Sequence, residues 1–272
     1  METADRDNAS DEFTTGVLDS FRQIFWEPEI ARRGGEEVTG PLRRAVAILR
    51  PGAGVAEVRL NDEADLVARV RVTRAVQAGE PITVADVEAL EDLCPANLDP
   101  DAGWAAMVTL PNGHVVAAFD FRRNRARATA LLDLADQYEA AATGALERRH
   151  LGPALDAAFT CAELAVTAMM FLQDDDPLGP SRSRHSRRVG WLRNFTRLDN
   201  APRAYHGSLA RLADLRPAAR YGSPPLTITE EDAAEHLSNV QGLLEHARLR
   251  VGELRVPVEL DGVPRLAATP EP

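Results

Sequence analysis

The most constraining feature of this sequence is an apolar stretch from Leu155 to Leu172. Its apolar and small residues recur at intervals of three and four, which is the spacing of one face of an α-helix. Alanines along this face allow a neighbouring helix to approach closely, and Phe159, Val166 and Met169 fill the space around them. Such a helix belongs in the middle of a bundle, so we expect residues 124–252 to form a helical bundle around it.

The first half of the chain shows short extended segments separated by turn residues. The run AVAILRPG at 45–52 predicts a buried strand, and the alternating run after it continues to a polar turn at 61–63. The spacing of the apolar residues at 66–76 fits either a strand or a helix. Two apolar runs joined by Asn112-Gly113 predict a hairpin, because this pair supplies the positive φ angles of a tight turn.

Helix signals occur in both halves. Residues 13–26 fit an amphipathic helix that Pro28 stops, and Thr83 with Asp86 has the form of a capping box that opens a short helix ended by Pro95. In the second half, four further helices are predicted. One spans 126–148, with Leu134 and Tyr138 on its apolar face, and a shorter one spans 186–197. A third runs from Asn200 to Pro217, and the last begins after a second capping box at Thr229 and Asp232.

These patterns predict an α+β protein of two domains. An acidic N-terminus at 1–12, expected to be disordered, precedes a mixed α/β domain at 13–123 and the helical bundle at 124–252. The tail at 253–272 contains prolines and fits an edge strand or a loop.

The basic residues exclude several enzyme classes. All 31 of them are arginines, and the chain contains no lysine. Phosphate-loop NTPases, protein kinases and Schiff-base enzymes each require a lysine ammonium group, so the sequence excludes all three. The net charge of -11 means that the surface as a whole repels polyanions, and any nucleic-acid site must be local.

Other features favour a soluble cytoplasmic protein. Cys94 and Cys161 lie far apart with no CxxC pair, which is typical of reduced thiols rather than of a disulfide framework. The first dozen residues are polar and contain no signal-peptide core. The longest apolar run, Ala165 to Leu172, is far short of a membrane span.

Signatures of catalysis and of metal binding are missing from the sequence. It has no HExxH, no GxSxG and no complete GxGxxG motif. Three consecutive carboxylates at 174–176 could hold a divalent cation only with help from the loop, and a solvated acidic helix exit explains them better. We therefore expect no metal and no cofactor.

The unusual charge feature is the basic segment, residues 182–203. It holds seven arginines against one acid, Asp199, in an acidic protein. Guanidinium groups match phosphate oxygens, so the segment is a candidate phosphate or nucleic-acid site. Paired or solvated charges are the commoner explanation of such runs, and a docking surface for the first domain is a third alternative. The candidate binding residues are Arg182, Arg184, Arg187, Arg188, Arg193 and Arg197.

Two histidines accompany this segment. Cleaving RNA without a metal needs a proton shuttle and a cation for the phosphate, and His185 with Arg188 and His206 with Arg203 supply these groups. These four residues are the catalytic candidates, beside the simpler interpretation that both histidines are surface or hydrogen-bonded residues. Trp191 is an aromatic stacking candidate at helical spacing, where such residues more often belong to the core.

The second half also resembles the HEPN family of helical bundles, whose name stands for higher eukaryote and prokaryote nucleotide-binding. The order of its helical segments carries the resemblance: ALLDLADQYEAAATGALERR, LGPALDAAFTCAELAVTAMMFL, YHGSLARLADLRPAARY and EEDAAEHLSNVQGLLEHAR, within about 126–250. Many HEPN proteins are dimeric ribonucleases of toxin and antiviral systems, with an arginine four to six residues before a histidine. No histidine in this chain has an arginine at that distance. The resemblance therefore implies a dimeric, non-catalytic domain more than a ribonuclease.

Three functions follow as hypotheses. The first is a non-enzymatic module that binds RNA or a nucleotide, or regulates a partner, in a bacterial conflict, toxin–antitoxin or stress system. The second is a metal-independent ribonuclease with a degenerate motif. The third is an adaptor or immunity-type protein that binds another protein through its acidic surface and makes no contact with nucleic acid.

Overall fold

The computed structural model describes residues 15–77, 80–83, 86–110, 113–179 and 184–252. The expected disordered N-terminus, the tail at 253–272, Asn112 and Arg182 lie outside these ranges. The chain divides between Arg122 and Arg123 into two compact units. The first is a mixed α/β unit and the second is a helical bundle, which confirms the predicted α+β fold class.

The first unit is built on a four-stranded antiparallel sheet of order β2-β1-β5-β6. Its strands are β1 Arg44–Leu49, β2 Glu57–Leu60, β5 Gly103–Thr109 and β6 Val115–Asp120. The run AVAILRPG thus forms β1, and the β5–β6 pairing confirms the predicted hairpin. Alternate residues of the sheet enter two separate apolar clusters, so both of its faces are covered.

A helical segment at 15–32 covers one face of this sheet. It includes a π-helical turn, Arg22–Trp26, followed by helix α1, Glu27–Arg32, while a short helix α2 spans Glu36–Thr39. The prediction that Pro28 stops this helix is wrong. Pro28 lies in the first turn of α1, where a proline removes no helical hydrogen bond.

A two-stranded ribbon lies on the other face of the sheet. It pairs β3, Leu66–Val72, with β4, Val87–Pro95. The ambiguous segment at 66–76 therefore forms a strand over Leu66–Val72, and the helix predicted after Thr83 is wrong. Asp86 instead closes a turn by accepting hydrogen bonds from the backbone N–H and the hydroxyl of Thr83, at 2.9 and 2.8 Å. The spacing of a capping box therefore leads here into a strand, because β3 offers β4 a partner.

Five helices form the second unit. They are α3 Arg125–Glu147, α4 Leu151–Phe171, α5 Arg184–Arg197, α6 Arg203–Tyr221 and α7 Glu230–Gly252. The Thr229 hydroxyl accepts a hydrogen bond from the Asp232 amide at 3.0 Å, as its predicted capping role requires. Helix α6 does not end at Pro217 as predicted. It continues to Tyr221, where Gly222 adopts a left-handed conformation.

Helix α4 is the central helix of this bundle. It contacts each of the other four helices, and most of its side chains are buried. Leu155 and Phe159, among others, are nearly inaccessible, as the sequence predicted. By length and composition α4 is the one helix among the described residues that could cross a membrane, yet it is mostly buried inside the unit. It is the core helix of the bundle, which is consistent with a soluble protein.

The predicted apolar face of α3 is partly wrong. Ala135 is buried as expected, but Leu134 and Tyr138 are exposed, at 40% and 37%. The buried face of α3 is centred instead on small residues and Leu132. Alanines at this face let α3 and α4 approach closely, and the larger side chains are displaced outward.

Candidate functional site

The described part of the basic segment forms α5 and the start of α6. Arg184 begins α5, and Arg203 begins α6. Arg182 lies outside the described residues. Helix α5 buries Leu192, Phe195 and Thr196 against the bundle, so its remaining positions divide between an inner edge and an outward face.

The inner edge holds a charged cluster around Glu163 of α4. The Glu163 side chain is only 12% exposed, and its Oε1 accepts hydrogen bonds from His185 Nδ1 at 2.5 Å and Arg188 Nη1 at 3.2 Å. Arg188 Nε also donates to the Thr167 hydroxyl at 2.7 Å. A largely buried carboxylate must be paired to remain charged, so these bonds fix α5 to the central helix.

The other nitrogen of His185 faces Arg216 of α6. Arg216 Nη1 lies 3.2 Å from His185 Nε2, and its Nε lies 3.4 Å from Asp156 Oδ1. A guanidinium can only donate, so His185 Nε2 accepts, and Nδ1 carries the proton directed at Glu163. We name Asp156, Glu163, His185, Arg188 and Arg216 the inner cluster.

The inner cluster brings together three kinds of chemical group that enzymes use in catalysis: a carboxylate, an imidazole and guanidinium groups. A carboxylate lies behind the imidazole, the Arg216 guanidinium lies at its other nitrogen, and the Arg188 guanidinium contacts the carboxylate. This arrangement orients a histidine as a proton acceptor and provides cations for an oxyanion. Arg216 covers Nε2, however, and also packs over the Phe159 ring at 5.0 Å. A substrate would have to displace Arg216 before His185 could act.

The outward face of α5 carries a different set of arginines. Arg184, Arg187, Arg193 and Arg197 are exposed. Among the residues that the structure describes, none of the four forms an ion pair with a carboxylate, and Arg187 donates to the Leu178 carbonyl at 3.2 Å. Arg193 and Arg197 lie one helical turn apart and therefore point in similar directions. We name these two residues the outer pair.

The second catalytic candidate pair is apart from the inner cluster. The Arg203 side chain is 76% exposed and lies 3.8 Å from Asp199. Burial, with a contribution from the charge of Arg193, lowers the pKa of His206, so this imidazole is neutral near neutral pH. Within the described ranges, no hydrogen bond or ion pair joins Arg203 or His206 to His185 or Arg188. The four candidates thus do not form one site.

A cleft lies between the end of α4 and α5. It has a volume of about 460 Å³, and its lining residues are Met170, Gln173, Asp174, Pro177, Arg187 and Trp191. The Trp191 indole stacks on the Phe195 ring at 4.8 Å with an interplanar angle of 13°. Phe195 is 7% exposed and belongs to the core, whereas Trp191 is half-buried.

The carboxylates at 174–176 take part in local structure. Asp175 Oδ1 accepts hydrogen bonds from Arg123 Nε at 3.0 Å and from Asn124 Nδ2 at 2.7 Å, across the start of α3. Asp174 Oδ1 accepts from the Asp176 amide at 3.0 Å and forms a turn. Among the described residues, no group of three metal-ligating side chains could hold a metal ion. Burial raises the pKa of the Cys161 thiol to about 12, which keeps it protonated and unreactive.

The candidate site residues predicted from the sequence did not include Glu163, Asp156 or Arg216. A signal for the two acids existed, because Asp156, Glu163 and Thr167 are spaced by seven and four along an otherwise apolar helix. A carboxylate on such a face requires a basic partner. Which of the 31 arginines provides it depends on the packing of α5 and α6.

Comparison with known protein families and with curated proteins found no match for this chain. The argument for function therefore depends on the geometry of α5 and its neighbours.

Proposed function

We propose that the helical unit is a non-catalytic module that binds the phosphates of RNA or of a nucleotide through α5. The observation that carries this proposal is the outer pair, Arg193 and Arg197. Both residues are exposed and have no carboxylate partner among the described residues, in a protein with a net charge of -11. Unpaired guanidinium groups at the spacing of one helical turn can hold successive phosphate oxygens.

The inner cluster reduces the number of arginines that are available to bind a ligand. Arg188, a candidate binding residue, donates to Glu163 and Thr167, so its guanidinium stabilises the fold instead of facing a ligand. The surface that remains consists of Arg184 and the outer pair, because Arg187 lies in the cleft at the end of α4. The resemblance to HEPN domains supports the same assignment, and we retain from it a dimeric module of a bacterial conflict or stress system as part of the proposal.

A binding measurement tests this function. We expect the R193Q/R197Q double variant to bind a short single-stranded RNA about tenfold or more weakly than the wild type at about 0.1 M salt, by fluorescence anisotropy. The matched control is R22Q/R69Q, which removes the same charge from two exposed arginines of the first unit. Equal losses in both double variants, or no binding by the wild type, would rule out the outer pair as the site.

A second candidate function is a metal-independent ribonuclease, and the hydrogen bond from His185 to Glu163 favours it. Arg216 would bind the phosphodiester and move away from Nε2, which would leave His185 free to accept the proton of the attacking 2′-hydroxyl. The P–O5′ bond would break as the new P–O bond forms, and the protonated His185 would return the proton to the leaving 5′-oxygen. The reaction would then require His185 and not His206. The test is cleavage of single-stranded RNA in the presence of EDTA, with loss of activity in H185A and retention in H206A. An inactive wild type removes this candidate.

A third function, protein binding through the acidic surface, makes the opposite prediction for nucleic acid. A protein of that kind is purified without RNA and gives no anisotropy change with any oligonucleotide. The same titration therefore separates it from the first two functions.

A further inference from the structure

The cleft between the end of α4 and α5 combines three kinds of wall. Met170 and Pro177 are buried and apolar, and the Trp191 indole is held in place by its stack on Phe195. Arg187 and Asp174 are exposed at the cleft and provide a cation and a carboxylate. Pockets for small molecules typically have such a composition, with an apolar interior and a few polar groups that fix orientation.

Each wall selects one part of a ligand. An indole held on one side by a second ring favours a flat ring as its next neighbour. The Arg187 guanidinium donates one hydrogen bond to the Leu178 carbonyl, which anchors it and leaves other N–H groups for an anion. The Asp174 carboxylate is fixed by the Asp176 amide and accepts hydrogen bonds from hydroxyl or amino groups.

We propose that this cleft binds a small organic anion that carries a flat ring and a hydrogen-bond donor, the chemistry of a nucleoside monophosphate. A volume of about 460 Å³ has room for one such molecule. Inorganic phosphate has hydroxyl groups that can donate to Asp174, but it has no flat ring to stack on Trp191, and its whole charge lies near the carboxylate. The site therefore distinguishes a nucleotide from inorganic phosphate.

The cleft is separate from the surface that binds RNA in the proposed function. Arg187 is six residues before Arg193, which turns its side chain to a different side of α5. A free nucleotide in the cleft and RNA phosphates at the outer pair are therefore independent events. A single nucleotide at the end of an RNA chain has the same chemistry as the free one, and the experiment separates the two sources.

The experiment is a calorimetric titration of the full chain with adenosine monophosphate, adenosine and inorganic phosphate. We expect the monophosphate to bind most tightly, and R187Q to weaken it about 10- to 100-fold, which is the usual effect of losing a charge-assisted hydrogen bond. R22Q, which changes an exposed arginine of the first unit, is the control and leaves this affinity unchanged. Because Arg187 is exposed, R187Q keeps the fold, and W191F retains the ring and binds within a few-fold of the wild type.

The outcomes decide between the alternatives. Equal affinity for adenosine and its monophosphate, or an unchanged affinity in R187Q, overturns the anion site. Equal affinity for inorganic phosphate overturns the ring site, and no binding by any of the three overturns the proposal as a whole. If a 5′-phosphorylated RNA competes with the monophosphate in R193Q/R197Q, the occupant is an RNA end; if it does not, the occupant is a free nucleotide. The affinity of R193Q/R197Q for RNA tests the proposed function separately.

Discussion

Replacing Glu163 with glutamine removes the charge that holds α5 to the central helix. The carboxylate accepts two hydrogen bonds, from His185 and from Arg188, and the side chains of Glu163 and Arg188 are 12% and 15% exposed. His185 is about half exposed, so its bond contributes less than the one from Arg188. We expect E163Q to lower the free energy of unfolding by about 2 kcal/mol, mainly because Arg188 loses its counter-charge.

Urea unfolding followed by far-ultraviolet circular dichroism measures this loss. With an m-value of about 2 kcal/mol/M, a loss of that size lowers the midpoint by about 1 M. E245Q is the matched control, because Glu245 is exposed on α7, and its midpoint stays the same. R188M should cost less in the E163Q background than in the wild type, because the charged one of its two partners, Glu163, is already lost. Additive effects of E163Q and R188M, or an unchanged midpoint in E163Q, would refute the electrostatic account of the inner cluster.

Two further predictions concern packing and pH. A Cβ at Gly152 would lie 2.8 Å from the Ala219 carbonyl oxygen, so G152A should destabilise the bundle by about 1 to 3 kcal/mol. G190A meets nothing within 4 Å in the interior of α5 and should stabilise it by about 0.5 to 1 kcal/mol in the same urea assay. In the first unit, the hydrogen bond from Arg32 lowers the pKa of Glu29 from 4.5 to about 2. The stability that wild type has over E29Q should therefore be complete above pH 4.5 and disappear as the pH falls through about 2, and thermal unfolding over that range measures it.

The sequence predicted the elements whose periodicity is strong. The apolar rhythm of Leu155 to Leu172 identified the central helix, and the continuous apolar run in AVAILRPG identified β1. Prediction from the sequence failed where a local pattern is compatible with two kinds of secondary structure. The spacing of Thr83 and Asp86 suits a helix cap and also a turn, and only the pairing with β3 makes the following residues a strand.

The candidate site was predicted in part. The basic segment contains the outer pair and two members of the inner cluster, His185 and Arg188, because arginine density is visible in a sequence. Glu163 and Arg216 were missed, since they come from other helices, 22 and 31 residues away from His185. Which arginines are paired and which are free depends on how α5 packs, and no property of the segment itself reveals it.

The central claim is that the outer pair binds phosphate groups, and the salt dependence of RNA binding tests it most directly. Each phosphate contact on a single strand contributes about 0.7 to the slope of log affinity against log salt concentration. We predict that R193Q/R197Q lowers this slope by about 1.4 relative to the wild type, whereas R22Q/R69Q leaves it unchanged. The same slope in all three proteins would contradict the claim.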